Sequence, residues 1–548
     1  MKNLIINLGL MAAAASVSTA ASATVYYVSD CQSGAASGCV AGNDSNNGTS
    51  AATAWRTTSK LQSAFNAGKP GDQFLLAKGG AWSGVSMTLF NNNGGSPSAL
   101  YTNPLIIDSY TASWASTAKP ILNTGSGAVA LNFSNSGAPP LVNGGYTVRN
   151  LSLQGAGSAD VGIRLFNGVQ NVVTENLTVN GFNAGLSCGG LAAAGSDPSS
   201  ITVRNSTYTN NRAVGIGMWG CPNVLIEGNA LDNNGFTRPG LDHPMYVSGS
   251  DKGRVTNGVV IRNNKLTNNA VTSGLCQATA IVGHDVAADW LIEGNYIYQA
   301  PGTSYPTCWG IAMSPGNGGY TEGMDRLVIR GNTIVNVGNN GIEVAACRTC
   351  TIENNVLVWE ATTEAMGIRY HIAPTTPTYT GTALTVRNNS VYFAKTNDTS
   401  RGVVVNDQGT NHVVASNLVY FGSGSVAAAC FDSNLAAGSF TGWNNNLCFG
   451  GNWTGQYATR AAFTSATGFD ANGVSADPKL AATPALANNF SMALASTSPA
   501  INVGSTTMSS SIDRLSVQRS APDIGAFEYA ASGTANVAPA PPTNIVVQ

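Results

Sequence analysis

The chain has 548 residues and carries 26 Lys and Arg against 28 Asp and Glu, a formal charge of -2, with only 10% charged residues and 63 Gly. So balanced a charge excludes the basic footprint that a nucleic-acid partner requires. Polarity carried by Asn, Ser and Thr, with abundant Gly, argues against a helical bundle and suits an exported all-β solenoid.

Residues 1–23 read as a signal peptide: a positive start at Met1-Lys2-Asn3, a mostly apolar run from Leu4 to Val17, and an A-x-A cleavage site at Ala21-Ser22-Ala23. The mature protein is therefore expected to be secreted or periplasmic, with a charge of -3 once Lys2 is lost (25 basic against 28 acidic residues). The apolar run is too short to cross a bilayer, and no later segment approaches about 18 uninterrupted apolar residues, so no membrane span is expected.

Residues 24–140 are expected to form an N-terminal cap and the first coils. Strands are expected at Val25–Val28 and Phe74–Ala77 and a short helix at Thr58–Asn66; a solenoid needs such a cap to shield its first strand edge. Asp44-Ser45-Asn46-Asn47-Gly48 has calcium-loop character but no closing Glu. It reads as a turn, and calcium is the one cofactor with any sequence support.

Residues 141–450 carry the regular coils. An aliphatic or Thr residue precedes a charge nine times, at spacings of 23 to 37 residues, and the sign alternates without a break. The charges are Arg149, Glu175, Arg204, Glu227, Arg262, Glu293, Arg330, Glu353 and Arg387. Parallel strands stack about 4.8 Å apart, where like charges repel and opposite charges pair, so the alternation requires consecutive copies to lie side by side. At a fixed offset beyond this motif stand Asn229, Asn264, Asn295, Asn332, Asn355, Asn389 and Asn417, a row of amides able to hydrogen-bond along a stack. One strand per repeat with variable loops describes a parallel β-helix.

The ten cysteines fall into five neighbouring couples: Cys31/Cys39, Cys188/Cys221, Cys276/Cys308, Cys347/Cys350 and Cys430/Cys448. In an oxidising compartment these are expected to be disulfides, the second and third joining adjacent coils; the C-x-x-C of Cys347-Arg348-Thr349-Cys350 has as its alternative a redox pair or half a metal site. Residues 451–530 read as C-terminal coils and cap, and residues 531–548 as a Pro- and Ala-rich tail.

The stretch Val25-Tyr26-Tyr27-Val28, the run Gly42 to Ser50 and Trp55-Arg56-Thr57 resemble the N-terminal part of exported bacterial right-handed parallel β-helix proteins of the pectin-lyase-like superfamily. Ser498-Pro499-Ala500-Ile501-Asn502 and Pro522 to Phe527 are similar to their C-terminal end. The resemblance implies the right-handed fold. It implies no single chemistry, because the superfamily includes lyases, glycoside hydrolases and epimerases, and neither the Asp constellation of polygalacturonases nor the calcium and Arg motifs of pectate lyases is matched.

Each coil holds a further strand marked by Gly and an aliphatic residue. Because side chains alternate along a strand, Arg164, Phe166, Trp219, Tyr246, His284, Ser314, Glu343, Arg369 and His371 are expected to face outward on one sheet. Insertions at 238–242, 285–289, 305–309 and 320–325 are expected to wall that face into a groove. Trp219, Tyr246 and Trp309 are candidates to stack on sugar rings. Asp242-His243 and His284-Asp285 are candidate catalytic pairs, since a carboxylate beside a His tunes its proton affinity. Glu343 and Arg369 share a position on adjacent coils and are expected to form a surface ion pair, and His412 is expected to be an ordinary surface His.

The expected function is a secreted, monomeric enzyme degrading an acidic polysaccharide, foremost a lyase working by β-elimination. Arg369, and more distantly Arg164, would neutralise the uronate carboxylate, with His284 or Tyr246 as base. The alternatives are a glycoside hydrolase pairing Glu343 with Asp285 or Asp242, and a non-catalytic carbohydrate-binding surface protein.

Overall fold

The computed structural model describes residues 23–91, 98–134, 143–157, 159–190, 197–249, 253–316, 320–361, 364–372, 378–395, 397–423, 427–482 and 490–529. The expected signal peptide, apart from its last residue, and the Pro/Ala-rich tail lie outside the described residues.

Three parallel sheets of 14, 13 and 13 strands run the length of the molecule, each coil giving one strand to each sheet. The first sheet carries the alternating charges. Its register places Glu175 against Arg204, Arg204 against Glu227, and so on to Glu353 against Arg387. Each Glu pairs with the Arg of the following coil: Glu175–Arg204 at 3.1 Å, Glu227–Arg262 and Glu293–Arg330 at 2.7 Å, and Glu353–Arg387 at 2.8 Å. Arg149 opens the ladder on Asp108.

Inside the corner after that sheet, the seven Asn residues stack as expected, and Asn446 extends them. Each amide nitrogen donates to the Oδ1 of the next, at 2.9 to 3.1 Å, and each Oδ1 also takes a backbone N–H. All are buried. The row satisfies backbone donors that the corner would otherwise leave unpaired. It ends on the buried carboxyl of Asp470.

At the N-terminal end the helix Thr58–Asn66 begins with the Thr57 hydroxyl capping the Lys60 N–H and lays Leu61 and Phe65 over the first coils, Phe65 against Phe74 and Tyr146. Asp44 accepts the N–H groups of Arg56 and Thr57 and the Thr57 hydroxyl, which fixes the turn; its oxygens are spent on the cap, so the loop does not fit calcium. Among the described residues no three His, Cys, Asp or Glu side chains converge as metal ligands would. All five cysteine couples form disulfides. No helix among the described residues is long and apolar enough to cross a membrane.

The stretch expected as terminal coils divides in two. Asn452–Thr454 continues the second sheet, and the helix Arg460–Thr467 closes the end with Phe463 against Trp443. Residues 490–529 instead double back along the outside of the third sheet. Phe490, Met492, Ile524 and Phe527 form an apolar cluster with Val335, Val356, Val358 and Leu447, and Ser510 reaches Asn354 and Asn388. The third sheet shows apolar side chains on both faces over these coils, and the strap covers the outer one. His412 also departs from expectation: it is fully buried, between Tyr370 and Phe440, with its Nδ1 accepting the Leu384 N–H.

Candidate functional site

The second sheet carries the outward residues, and its register fixes which of them meet. Ile216, Met245, Ile281, Ile311, Ile342 and Ile368 stack inside. One outward row is then Arg164, Ser187, Gly217, Tyr246, Val282, Ala312, Glu343 and Arg369, and the other includes Phe166, Gly189, Trp219, Ser248, His284, Ala345 and His371. Beside the strand starts stand loops 236–242, 270–278 and 300–308, the last two bolted by Cys276–Cys308. Beside the strand ends the chain after His284 and residues 314–316 and 320–322 form the opposite side.

Two groups of side chains lie on this floor. The first is aromatic. Trp219 folds back flat over Gly217, where a Cβ would stand 2.3 Å from its ring, and its outer side remains 40% exposed. Its centroid is 5.7 Å from Tyr246, and Tyr246 is 5.5 Å from His284. His284 Nδ1 lies 2.8 Å from the Ser314 carbonyl. A carbonyl only accepts, so Nδ1 carries the proton and Nε2 keeps its lone pair. Gly316 packs against the same ring and donates its N–H to the buried Glu322. Asp285 is buried and accepts the Tyr320 hydroxyl at 2.9 Å. Burial, then the charges of Asp285 and Glu322, push the Tyr246 phenol up to about 12, so it is a proton donor or hydrogen-bond donor and a poor base.

The second group is ionic and lies three strands further on, about 14 Å at strand spacing. Glu343 does not pair with Arg369. It receives a hydrogen bond from His371 Nε2 on the neighbouring strand, and its Oε2 is buried without a partner. A single strand step leaves the carboxylate free to choose between Arg369 directly opposite and the His two residues further along, and the shorter imidazole reaches it in the buried layer. Arg369, two residues before His371 on the same face, makes no ion pair among the described residues.

Other expected residues are placed elsewhere or held. Asp242 is buried and gripped by Arg238 through Nε and Nη2 at 2.9 and 2.7 Å, which closes its own loop. His243 donates Nδ1–H to the Thr279 carbonyl, and burial pushes its imidazole down to about 4 against that hydrogen bond; it forms a wall beside Tyr246, 5.9 Å away. Trp309 stands at the opposite end of the strand register from Trp219, about 17 Å along the strand direction, with its indole N–H on the Pro306 carbonyl. Arg164 rests on the Phe166 ring four strands before His284. Sequence reasoning missed Gly217 and Gly316; a Gly at an outward position where neighbouring coils carry side chains was the available signal for the first.

A family profile described as the right handed beta helix region matches residues 133–304. No curated protein sequence matches the chain. Among solved structures it is similar to the Dettilon tailspike protein (gp208), with a TM-score of 0.48 and 14% identity over 73% of this chain and 69% of that one. It is also similar to the A-module of the Azotobacter vinelandii mannuronan C-5 epimerase AlgE6, with a TM-score of 0.46 and 15% identity over 77% and 95%. A third likeness is to the pectate lyase Pel9A, with a TM-score of 0.37 and 15% identity over 93% and 97%. The stacked parallel sheets and the profile over residues 133–304 make the protein a right-handed parallel β-helix.

Proposed function

We propose that the protein is an exported, monomeric polysaccharide lyase that cleaves a uronate-containing chain by β-elimination at Arg369, His371 and Glu343. The observation that carries this reading is an Arg without an ion-pair partner among the described residues, standing about 7 Å along one strand from a His whose ring is held by a buried carboxylate. Arg369 would neutralise the uronate carboxylate and so acidify the C5 proton. His371 would take that proton on Nδ1 as the C4–C5 double bond forms and the C4–O4 bond breaks, the leaving oxygen taking a proton from the imidazolium or from water. Glu343 would orient the ring and stabilise its charged form, the role a buried carboxylate plays behind a catalytic His. The five disulfides favour an oxidising compartment.

Hydrolysis by paired carboxylates is less well supported. Asp242, Asp285 and Glu343 are all buried and already bonded to Arg238, Tyr320 and His371, and none opens on the groove. His284 and Tyr246 have the proton chemistry but, among the described residues, no cation beside them on the floor, and they read as substrate-binding groups. The test is a screen of purified protein against uronate-containing polysaccharides, following the ultraviolet absorbance of the unsaturated product. His371→Ala is expected to lower kcat by about 100-fold or more, and Arg369→Ala to lower kcat and raise KM together. If folded His371→Ala keeps wild-type turnover while His284→Ala abolishes it, the centre lies at the aromatic group instead.

A further inference from the structure

From the positions of charge along the floor we infer that the substrate is a heteropolysaccharide with widely spaced carboxylates, neutral sugars lying over Trp219, Tyr246 and His284 and a single uronate reaching Arg369. This rests on the reading of the groove as a polysaccharide site and narrows it to a substrate class.

Arg164 and Arg369 are separated by seven strand steps, about 34 Å. The six strands between them place no Lys or Arg in either outward row. A polymer stacked along the helix axis advances by about one sugar per strand, so a homopolymeric uronate would lay a carboxylate over every strand of this stretch. The middle of the stretch is acidic instead, with Asp285 and Glu322 close enough to Tyr246 to act on its proton, and a second anion there would be repelled.

The same stretch is built for an uncharged ring. Gly217 allows the Trp219 indole to lie flat, and Gly189 on the preceding strand leaves open the place beside it. The exposed indole face then offers an apolar platform to the C–H face of a sugar. Tyr246 and His284, next along the row, present a phenol O–H and a ring nitrogen suited to sugar hydroxyls.

Polygalacturonate and alginate, each carboxyl-reduced to graded extents so that carboxylates become primary alcohols on an unchanged backbone, provide the test. Binding is read by affinity electrophoresis with chelator present, and cleavage by product absorbance. Affinity is expected to pass through a maximum at sparse carboxylation, about tenfold tighter than for the unreduced polymer, and Trp219→Ala, at an exposed position, should weaken that binding about tenfold. Affinity that rises steadily with carboxylate density, failure to bind any member of either series, or unchanged binding by Trp219→Ala would overturn the inference. Binding with the expected maximum but no cleavage would refute the lyase reading alone. Preferred cleavage of the unreduced polymers would uphold the lyase reading and remove the spacing argument.

Discussion

Replacing Asp470 with Asn should stabilise the protein at neutral pH and cost it about 1 kcal/mol in acid. Asp470 ends the Asn row, accepting the Asn446 N–H and amide at 3.1 Å, with a second amide contact at 3.2 Å. Burial pushes its carboxyl up to about 6 even though Asn446 bonds to it and the Trp443 and Trp453 indoles, close but outside hydrogen-bonding geometry, favour its charge. The folded value is raised above the unfolded one of about 3.9, so its stabilising contribution is complete below pH ~4 and is lost as pH rises through ~6; two units amount to about 3 kcal/mol. Asn keeps the oxygen that serves Asn446 and cannot ionise, but loses the weaker second acceptor, at a cost of about 1 kcal/mol. The expected gain is therefore about 2 kcal/mol at pH 8. Guanidinium unfolding of both proteins at pH 4 and pH 8 measures it, because every other titrating group cancels in the difference. An Asp470→Asn difference that is the same at both pH values would refute the reasoning.

His243 acts in the opposite direction: its folded value is depressed to about 4, so its contribution is present above pH ~6.5 and is lost as pH falls, up to about 3 kcal/mol. His243→Asn, able to donate to the Thr279 carbonyl, should flatten the acid limb of the stability curve measured by thermal unfolding. The two ladders should separate sharply in denaturant titrations. Glu293→Ala breaks an ion pair whose side chains are about one-third exposed and should cost about 0.5 kcal/mol, vanishing in high salt. Asn295→Ala removes the acceptor of the buried Asn264 N–H and amide and a donor to the Ile261 carbonyl and Asn332 Oδ1 and should cost about 3 kcal/mol or more at any salt. Phe527→Ala, which empties a fully buried position under the strap, should cost about 3 to 4 kcal/mol and speed proteolysis within 490–529.

The coil repeat was legible because its two ladders obey constraints that reach only one strand away: charge sign at Arg204 and Glu227, and amide donors and acceptors at Asn229 and Asn264. The same periodicity placed Tyr246, His284 and Arg369 in the correct outward rows. The partner of Glu343 was not legible, because choosing between Arg369 and His371 depends on depth within the layer, which alternation does not encode. His412 was misjudged for a related reason: a polar residue opening a strand looks exposed until the Leu384 N–H finds its ring nitrogen. The strap escaped notice because its partners, such as Ser510 with Asn388 and Arg514 with Asn332, lie more than 100 residues away in the chain and follow no period.

That strap gives the molecule two mechanical halves. It touches coils from Tyr296 to Leu447, and these supply the site strands Ile311–Met313, Asn340–Ala345 and Met366–His371. The coils that present Trp219, Tyr246 and His284 lie outside the coils that the strap touches and are held by neighbouring coils and by the Arg254–Asp197 ion pair, which spans two of them. Under load or thermal bending, the groove behaves as a rod clamped at one end: the ionic centre stays square while the aromatic stretch twists and follows a polymer whose path is not straight.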